Sequence, residues 1–328
     1  MGLKEILLEI NDETSVINSP TFDIISRDAR ILPSLDDSDL TFANFDTNSK
    51  KVKMIETCVL YIDIRRSTKL NFEHQRPTLV KLYCSFIKGV TKCAEFFGGK
   101  VKNIVGDRVM FLFEPEGCCK NAVDAAVLLN TFCTYILNKY FKLNEVSCGI
   151  GIDFGKMMAA KAGSVKHGVK KAEHQSIVWL GPPANVASKL ADVANKNISR
   201  RIVLVGRYNQ YGGRFWSDLE IDDFFESLES TYTWPMVARF KYPYGNIWTF
   251  FKTLAFRYYP TILMTKKVYD GYRTICSDDS AIRKRLWKPQ KISEIESYGI
   301  VYGGNVIYIF GKDLHRDKGN QPLFARKK

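Results

Sequence analysis

The chain has few of the residues that staple a small or secreted protein. Its 328 residues include eight cysteines and four histidines, without a Cys-x-x-Cys pair, and most of the cysteines stand inside apolar runs. This usage argues against a zinc site and against a disulfide framework. It predicts reduced cysteines in the core of a cytoplasmic protein.

The sequence also lacks a long uninterrupted apolar run. The segment MGLKEILLEI carries acidic residues where a secretion signal would have its apolar core. The most apolar later stretch, residues 248–264, is interrupted by Lys252, Arg257 and Pro260, which a membrane-spanning helix rarely tolerates. We therefore expect no membrane span and a cytoplasmic location.

Acidic residues are scarce in the last part of the chain. The net charge is +13, and residues 239–328 hold 18 Lys and Arg against 7 Asp and Glu, whereas the rest is nearly balanced. A basic tail can meet nucleic acid or an acidic membrane surface. Without an aromatic-stacking or helix-turn-helix motif, a solvated basic face is the favoured interpretation, and no nucleic-acid partner is expected.

Buried strands and amphipathic helices alternate between about residues 57 and 206. Strands are predicted for the apolar runs ETCVLYIDI, KVKNIV, RVMFLF, EVSCGIGIDF, KMMAAKAG, SIVWL and RIVLV, with two long helices and the shorter NVASKLADVANK between them. This order predicts an α+β domain with a mixed sheet and flanking helices. A polar lead-in at 1–56 precedes the domain, and an aromatic and basic C-terminal extension at 207–328 follows it.

Two aspartates lie at the ends of apolar strand segments, where a charged side chain does not contribute to an apolar core. Asp63 ends the strand VLYID, and Asp107 lies at the tip of the predicted hairpin between KVKNIV and RVMFLF. A buried, unpaired carboxylate costs several kcal/mol, so each needs a cation or a backbone cap as partner. Taken singly, Asp63 is equally well explained as a helix or turn cap, and Asp107 is better explained as an ordinary turn residue.

Three separated motifs, taken together, resemble the class III nucleotide cyclase catalytic domain. They are VLYIDIRRST around Asp63, Gly106-Asp107, and GPPANVASK at 181–189, which matches the family pattern GxxVNxASR in the same order. VLYIDIRRST, NVASKL and the later YPYGNIW make the chain most similar to the bacterial antiphage Pycsar pyrimidine cyclases. The resemblance implies a class III cyclase-type sheet with a ferredoxin-like core over 57–206.

The resemblance also implies the metal chemistry. The ribose 3′-oxygen would attack the α-phosphate and release diphosphate, with two Mg²⁺ or Mn²⁺ ions held by Asp63, Asp107 and the Ile64 carbonyl. One ion would acidify the 3′-hydroxyl, and the other would neutralise the triphosphate.

Further roles concern the phosphates and the ribose. The turn of Arg65, Arg66, Ser67 and Thr68 would bind the β- and γ-phosphates, although a solvated arginine pair explains the first two equally well. Asn185 would orient the ribose. Lys189 stands where the family has an arginine that stabilises the pentavalent phosphorus, and a lysine lacks the bidentate fork of that arginine. An amphipathic helix packed on the sheet explains the same segment and is compatible with these roles.

The residues at the expected base pocket disfavour adenine. Adenylate-forming members carry a lysine and an aspartate or threonine at positions where this chain has Asn103 and Val178. Tyr61 replaces the usual phenylalanine on the face of Asp63. Its hydroxyl can hydrogen-bond a smaller base, while Trp179 or Val178 fills the volume of a purine. Alternatively, the hydroxyl of Tyr61 simply lies at the solvent end of its strand.

We therefore expect a homodimeric pyrimidine cyclase with two composite sites, the metals held by one protomer and the base pocket by the other. The expected reaction converts UTP, or alternatively CTP, into its 3′,5′-cyclic monophosphate, a signal in antiphage defence read by a separate effector protein. The amide of Asn103 can serve either base. The alternatives are an adenylate or guanylate cyclase, an inactive nucleotide-binding module, suggested by Lys189, and a nucleic-acid-binding protein.

Overall fold

The structure is a computed structural model. It describes residues 2–43, 48–141, 146–163, 175–208, 214–226, 228–233, 237–241, 249–292, 298–311 and 313. The chain divides into two compact units, Met1–Asn195 with Pro260–Lys328, and Lys196–Tyr259. The segment YPYGNIW at 242–248 lies outside the described residues, as do His167, His174 and His315.

Helices and strands alternate along the first half of the chain, as the hydrophobic pattern predicts. Over the described residues, the strands are β1 Asp23–Asp28, β2 Ser49–Ile64, β3 Lys100–Val105, β4 Arg108–Leu112, β5 Cys148–Ala162, β6 Ser176–Leu180, β7 Asn197–Tyr208, β8 Arg214–Glu220, β9 Glu229–Thr233, β10 Val237–Lys241, β11 Thr249–Tyr258, β12 Ile262–Thr265, β13 Lys288–Gln290 and β14 Val301–Gly304. The helices of the same residues are α1 Leu3–Ile17, α2 Ser67–Glu73, α3 Arg76–Phe96, α4 Cys118–Thr131, which continues as a π-helical turn over Phe132–Leu137, α5 Asn138–Tyr140, α6 Pro182–Val193, α7 Ile221–Glu226, α8 Lys266–Ile275 and α9 Ser280–Arg283.

A mixed and mostly antiparallel sheet forms the centre of the first unit. Its strand order is β13-β14-β12-β5-β2-β4-β3, with β1 parallel to β2 and β6 antiparallel to β5. The long central strands β2 and β5 pair antiparallel from Lys53 opposite Ala159 to Ile64 opposite Cys148. Helices flank this sheet, which confirms the predicted α+β class with a mixed sheet and flanking helices.

The two faces of β2 bury different layers, because successive side chains of a strand point to opposite sides. Cys58, Leu60 and Ile62 pack in the larger core with residues of α3 and α4. Val59 and the half-buried Tyr61 pack in a second cluster with Ala184 and Ala187 of α6. The same alternation places Asp63 on the α6 face, at the end of the strand.

A glycine lets α6 lie directly on the sheet. A β-carbon at Gly151 of β5 would collide with the backbone of Ala187 and Ala191. Because glycine has no β-carbon, helix and strand approach closely, and the following turns of α6 lie over the ends of β2 and β5. This contact fixes the helix that carries Asn185 and Lys189.

The domain boundaries of the structure differ from the predicted ones at 57 and 206. Strand β2 begins at Ser49, inside the predicted lead-in, and β7 belongs to the second unit rather than closing the first. The chain then returns to the first unit at Pro260, where β12 pairs in parallel with β5. The reason is that β12 is a short, fully buried run, and periodicity carries no information about so short a run.

The second unit is a small antiparallel structure. Strands β11, β7 and β8 form a three-stranded sheet in that order, and β9 pairs with β10. Its hydrophobic cluster consists of Val203 and Val205 with partly buried Leu219, Ile221, Phe224 and Leu228.

In the part of the chain that the structure describes, no helix has the length and apolar character needed to span a bilayer.

A buried hydrogen bond between side chains connects β12 to β5. Thr265 at the end of β12 donates its hydroxyl hydrogen to Asp153 Oδ1 of β5 over 2.6 Å. Both residues are buried. Burial raises the pKa of Asp153, and the hydrogen bond from Thr265 partly opposes that effect.

We predict that Thr265→Val lowers the free energy of unfolding by about 1–3 kcal/mol, because a buried carboxyl group loses its hydrogen-bond donor. Thr265→Ser is the matched control, since it keeps the hydroxyl. Urea denaturation followed by circular dichroism measures the difference. Equal stability of the valine and serine variants would show that the pair does not hold β12.

Candidate active site

Asp63 ends β2 with two guanidinium groups beside its carboxylate. Its Oδ2 accepts a hydrogen bond of 3.0 Å from Arg108 and lies 3.8 Å from the NH1 nitrogen of Arg65. The side chain is only 16% exposed. The cation that a strand-ending aspartate requires is therefore supplied by arginine in this structure.

Asp107 lies in the two-residue turn between β3 and β4. The preceding Gly106 has φ of +62°, a conformation that glycine adopts without strain. One carboxylate oxygen, Oδ2, is buried and has no hydrogen-bond partner in the structure. Burial, and then the negative charge of Asp63, raise the pKa of Asp107, while a hydrogen bond from Ser67 lowers it. The carboxylates of Asp63 and Asp107 thus repel each other at the same end of the central strands.

This donor set fits a hard divalent cation. Carboxylate oxygens are the ligands that Mg²⁺ and Mn²⁺ take. A positive ion between Asp63 and Asp107 would relieve their repulsion and satisfy the orphaned Oδ2 of Asp107. Ile64, whose carbonyl is the third expected ligand, is the last residue of β2, and its side chain is buried.

The turn after β2 contains a buried arginine with unused donors. Arg65 is 7% exposed, and its Nε and NH2 nitrogens have no hydrogen-bond partner in the structure. The guanidinium lies against Gly149 of β5, where a β-carbon would collide with it. Burial lowers the pKa of Arg65, and the charge of Asp63 opposes this. Unsatisfied cationic donors at this depth are suited to an anion.

The other residues of the turn are less enclosed. Arg66 is exposed and takes a left-handed backbone conformation, φ +57°, as the residue before α2. Ser67 is half-buried beside Asp107, and Thr68 is exposed. Of the four predicted phosphate-binding residues, Arg65 and Ser67 therefore lie nearest to the two carboxylates.

Arg108 connects the carboxylate of Asp63 to α6, and the sequence interpretation missed this role. Its guanidinium bonds Asp63, forms a short ion pair with Asp192, and donates to Ser188 Oγ over 3.1 Å. Burial lowers the pKa of Arg108, but the hydrogen bonds and charges of the two aspartates raise it overall. The only local signal for this role was an arginine directly after Asp107.

Asn185 and Lys189 are exposed on one face of α6, four residues apart. Lys189 Nζ lies 3.2 Å from the hydroxyl of Tyr298 and 5.1 Å from the centre of its ring. Among the described residues, no hydrogen bond or ion pair connects either side chain with Asp63 or Asp107. The predicted metal ligands and the predicted ribose and phosphorus contacts thus form two separate groups within one chain.

The predicted base-pocket residues fall on both sides of their strands. Tyr61 donates a hydrogen bond to Met110 Sδ over 3.1 Å, and the exposed Asn103 pairs with Met110 from the other side. Trp179 packs in the cluster that contains Tyr61. Val178 is exposed, and strand alternation points it away from that cluster. Burial raises the pKa of Tyr61.

Comparison with known proteins finds similarity to several proteins named as nucleotide cyclases. No family model matches the chain. A protein named uridylate cyclase from Gulbenkiania mobilis is 28% identical over 265 residues, which cover 75% of this chain and 93% of that protein. A second uridylate cyclase, from Propioniciclava tarda, is 26% identical and covers 44% of this chain and 48% of its own length. A cytidylate cyclase from Staphylococcus aureus is 31% identical over 47% of this chain and 37% of its own length.

Among solved structures, a bacterial light-regulated adenylyl cyclase superposes with a TM-score of 0.47 at 12% identity, over 81% of this chain and 56% of that one. The similarity to proteins named uridylate cyclase and cytidylate cyclase confirms the resemblance that the motifs predict.

Proposed function

We propose that the protein is a pyrimidine nucleotide cyclase that converts UTP into 3′,5′-cyclic UMP and diphosphate. The observation that carries the proposal is the pair of Asp63 and Asp107, whose carboxylates lie at the same end of the central strands. Asp63 is paired with Arg108, and Oδ2 of Asp107 is buried without a hydrogen-bond partner. A relative that covers 75% of the chain is named uridylate cyclase, which favours UTP over CTP. A cytidylate cyclase among the relatives keeps CTP as the alternative.

Asp63 and Asp107 would hold the divalent cations, with the carbonyl of Ile64 as a further ligand. We propose two ions per site, Mg²⁺ or Mn²⁺. When bound, such ions acidify the ribose 3′-hydroxyl and neutralise the triphosphate. The carboxylates of Asp63 and Asp107 would orient these ions by coordinating them.

Arg65 would bind the β- or γ-phosphate. Its Nε and NH2 donors are buried without partners, so a phosphate oxygen removes an existing desolvation cost. Ser67 and Thr68 supply hydroxyl groups at the same turn, and Arg66 adds charge from the exposed side. Binding energy from this end of the substrate positions the α-phosphate for attack.

Arg108 occupies the place of a cation beside Asp63. A divalent cation at Asp63 would compete with this guanidinium, which also contacts Asp192 and Ser188 of α6. Arg108 therefore orients the carboxylate of Asp63. Only the contact of Arg108 with β2 would be lost, while its contacts with α6 would remain.

A homodimer would complete the site. Asn185 and Lys189 are exposed on α6 and have no bond to Asp63 or Asp107 of their own chain among the described residues. We propose that the partner's α6 brings these two side chains to the triphosphate, Asn185 at the ribose and Lys189 at the α-phosphate. Lys189 would then leave its contact with Tyr298.

Tyr61, Asn103 and Trp179 would select the smaller base. The hydroxyl of Tyr61 donates only to a thioether sulfur, a weak acceptor, so a carbonyl oxygen of uracil is the better partner. Trp179 fills space that a purine requires, while Val178 points elsewhere. We place the reaction in the cytoplasm and propose that its product is an antiphage signal read by a separate effector protein.

The first prediction of the proposed function concerns turnover. With Mn²⁺ and each of the four nucleoside triphosphates, we expect conversion of UTP to a product lacking diphosphate, separated by mass spectrometry. Asp63→Asn and Asp107→Asn should reduce turnover to background, because each loses a metal ligand. Asp222→Asn, an exposed position on α7, is the control. Full activity of either site variant would contradict the metal assignment, and turnover of ATP or GTP alone would contradict the base assignment.

The second prediction concerns ion affinity without nucleotide. Arg108→Gln should bind Mn²⁺ more tightly by roughly fivefold, the equivalent of about 1 kcal/mol, because a competing cation leaves Asp63. Electron paramagnetic resonance of unbound Mn²⁺ gives the affinity directly. Arg66→Gln removes an exposed arginine from the neighbouring turn and should leave it unchanged. Weaker Mn²⁺ binding by Arg108→Gln would mean that the arginine assists the ion rather than competing with it.

The third prediction concerns the base. Tyr61→Phe should raise the KM for UTP by up to about tenfold, the effect of one lost neutral hydrogen bond. The kcat should change less, because the hydroxyl lies away from the reacting phosphate. Steady-state kinetics with UTP and CTP separate the two constants. An unchanged KM would assign the hydroxyl to its contact with Met110 alone.

A further inference from the structure

Three buried cysteines meet on the face of the sheet opposite the candidate active site. Cys58 lies on β2, and Cys118 and Cys119 are the first two residues of α4. All three are buried, and their sulfur atoms lie within 4.8 Å of one another. The distance from Cys58 Sγ to Cys119 Sγ is 3.7 Å.

These distances match sulfurs around a metal ion rather than a disulfide. A disulfide bond is about 2.05 Å long. Sulfurs around a tetrahedral ion, with metal–sulfur bonds of about 2.3 Å, lie about 3.8 Å apart. The Cys58–Cys119 separation is therefore already that of two thiolates sharing one ion, with the third sulfur close by.

The surroundings favour thiolate at this point. Cys118 and Cys119 occupy the positive end of a fourteen-residue helix, whose first amide groups lack helical partners. The Sγ of Cys58 donates a hydrogen bond to the Sγ of Cys119, so these sulfur atoms already face each other.

We infer that Cys58, Cys118 and Cys119 form a three-sulfur binding site for a thiophilic closed-shell cation, Zn²⁺ or Cu⁺. Binding replaces sulfur–hydrogen bonds with sulfur–metal bonds, and the displaced protons pass to solvent without any change of oxidation state. All three side chains of the cluster offer sulfur, and sulfur ligands suit Zn²⁺ or Cu⁺ rather than Mg²⁺ or Mn²⁺.

This site is independent of the proposed cyclase activity. Strand alternation puts Cys58 on the α4 side of β2, whereas Tyr61 and Asp63 face α6. The amino-acid spacing gave no hint of the site, because Cys58 and the Cys118-Cys119 pair are sixty residues apart in the sequence and meet only through the packing of α4 on β2.

The experiment uses the full chain, reduced and freed of metal. Titration with Cd²⁺, followed by its thiolate charge-transfer absorbance in the ultraviolet, should show about one equivalent bound with three sulfurs. Competition of Zn²⁺ and Cu⁺ against chromophoric chelators then decides which ion binds more tightly. Bound ion should also raise the melting temperature of the unsubstituted protein.

Cys118→Ser combined with Cys119→Ser should abolish the band, and Cys84→Ser, an exposed cysteine, should keep it. If the double variant does not fold, Cys119→Ser alone should lose most of the absorbance. Three results would each overturn the inference: no band in the unsubstituted protein, an undiminished band in the variant, or a disulfide between Cys58 and a neighbour in protein isolated without reductant.

Discussion

The end of β2 is the point on which the rest of the structure depends. A carboxylate that terminates a buried strand requires a positive partner, since an unpaired charge at this depth costs several kcal/mol. Asp63 takes its partners from Arg65 and Arg108, and the adjacent Asp107 keeps one oxygen unsatisfied. The two aspartates are therefore held close together at a net energetic cost that a divalent cation would remove.

The fold makes this arrangement rigid. The pairing of β2 with β4 and β5 fixes where Asp63 lies, and the two-residue turn after β3 brings Asp107 to the same edge. Gly151 lets α6 approach so closely that Ser188 and Asp192 reach Arg108. Arg108 thus connects the charge at the end of β2 to the helix that carries Asn185 and Lys189.

Much of this could be predicted from local sequence. The apolar run before Asp63 and the Gly106-Asp107 turn each contain their own structural signal, so the strand end and the hairpin follow from short-range rules. The linkage of Arg108 to Asp192 could not be predicted, because the two residues are distant in the chain and meet only when α6 packs on the sheet. The return of β12 to the sheet was missed because its few buried residues have no distinctive period, and the cysteine cluster was missed for the same long-range reason.

The most direct test of the account is a crystal structure with Mn²⁺ and a UTP analogue whose α-phosphate cannot react. Anomalous scattering at the manganese edge locates the ions without reference to the protein. The account predicts manganese bound to the carboxylates of both Asp63 and Asp107, with Arg108 withdrawn from Asp63 and Arg65 on the phosphates. Manganese bound to neither aspartate, with the Asp63–Arg108 pair intact beside the nucleotide, would contradict it.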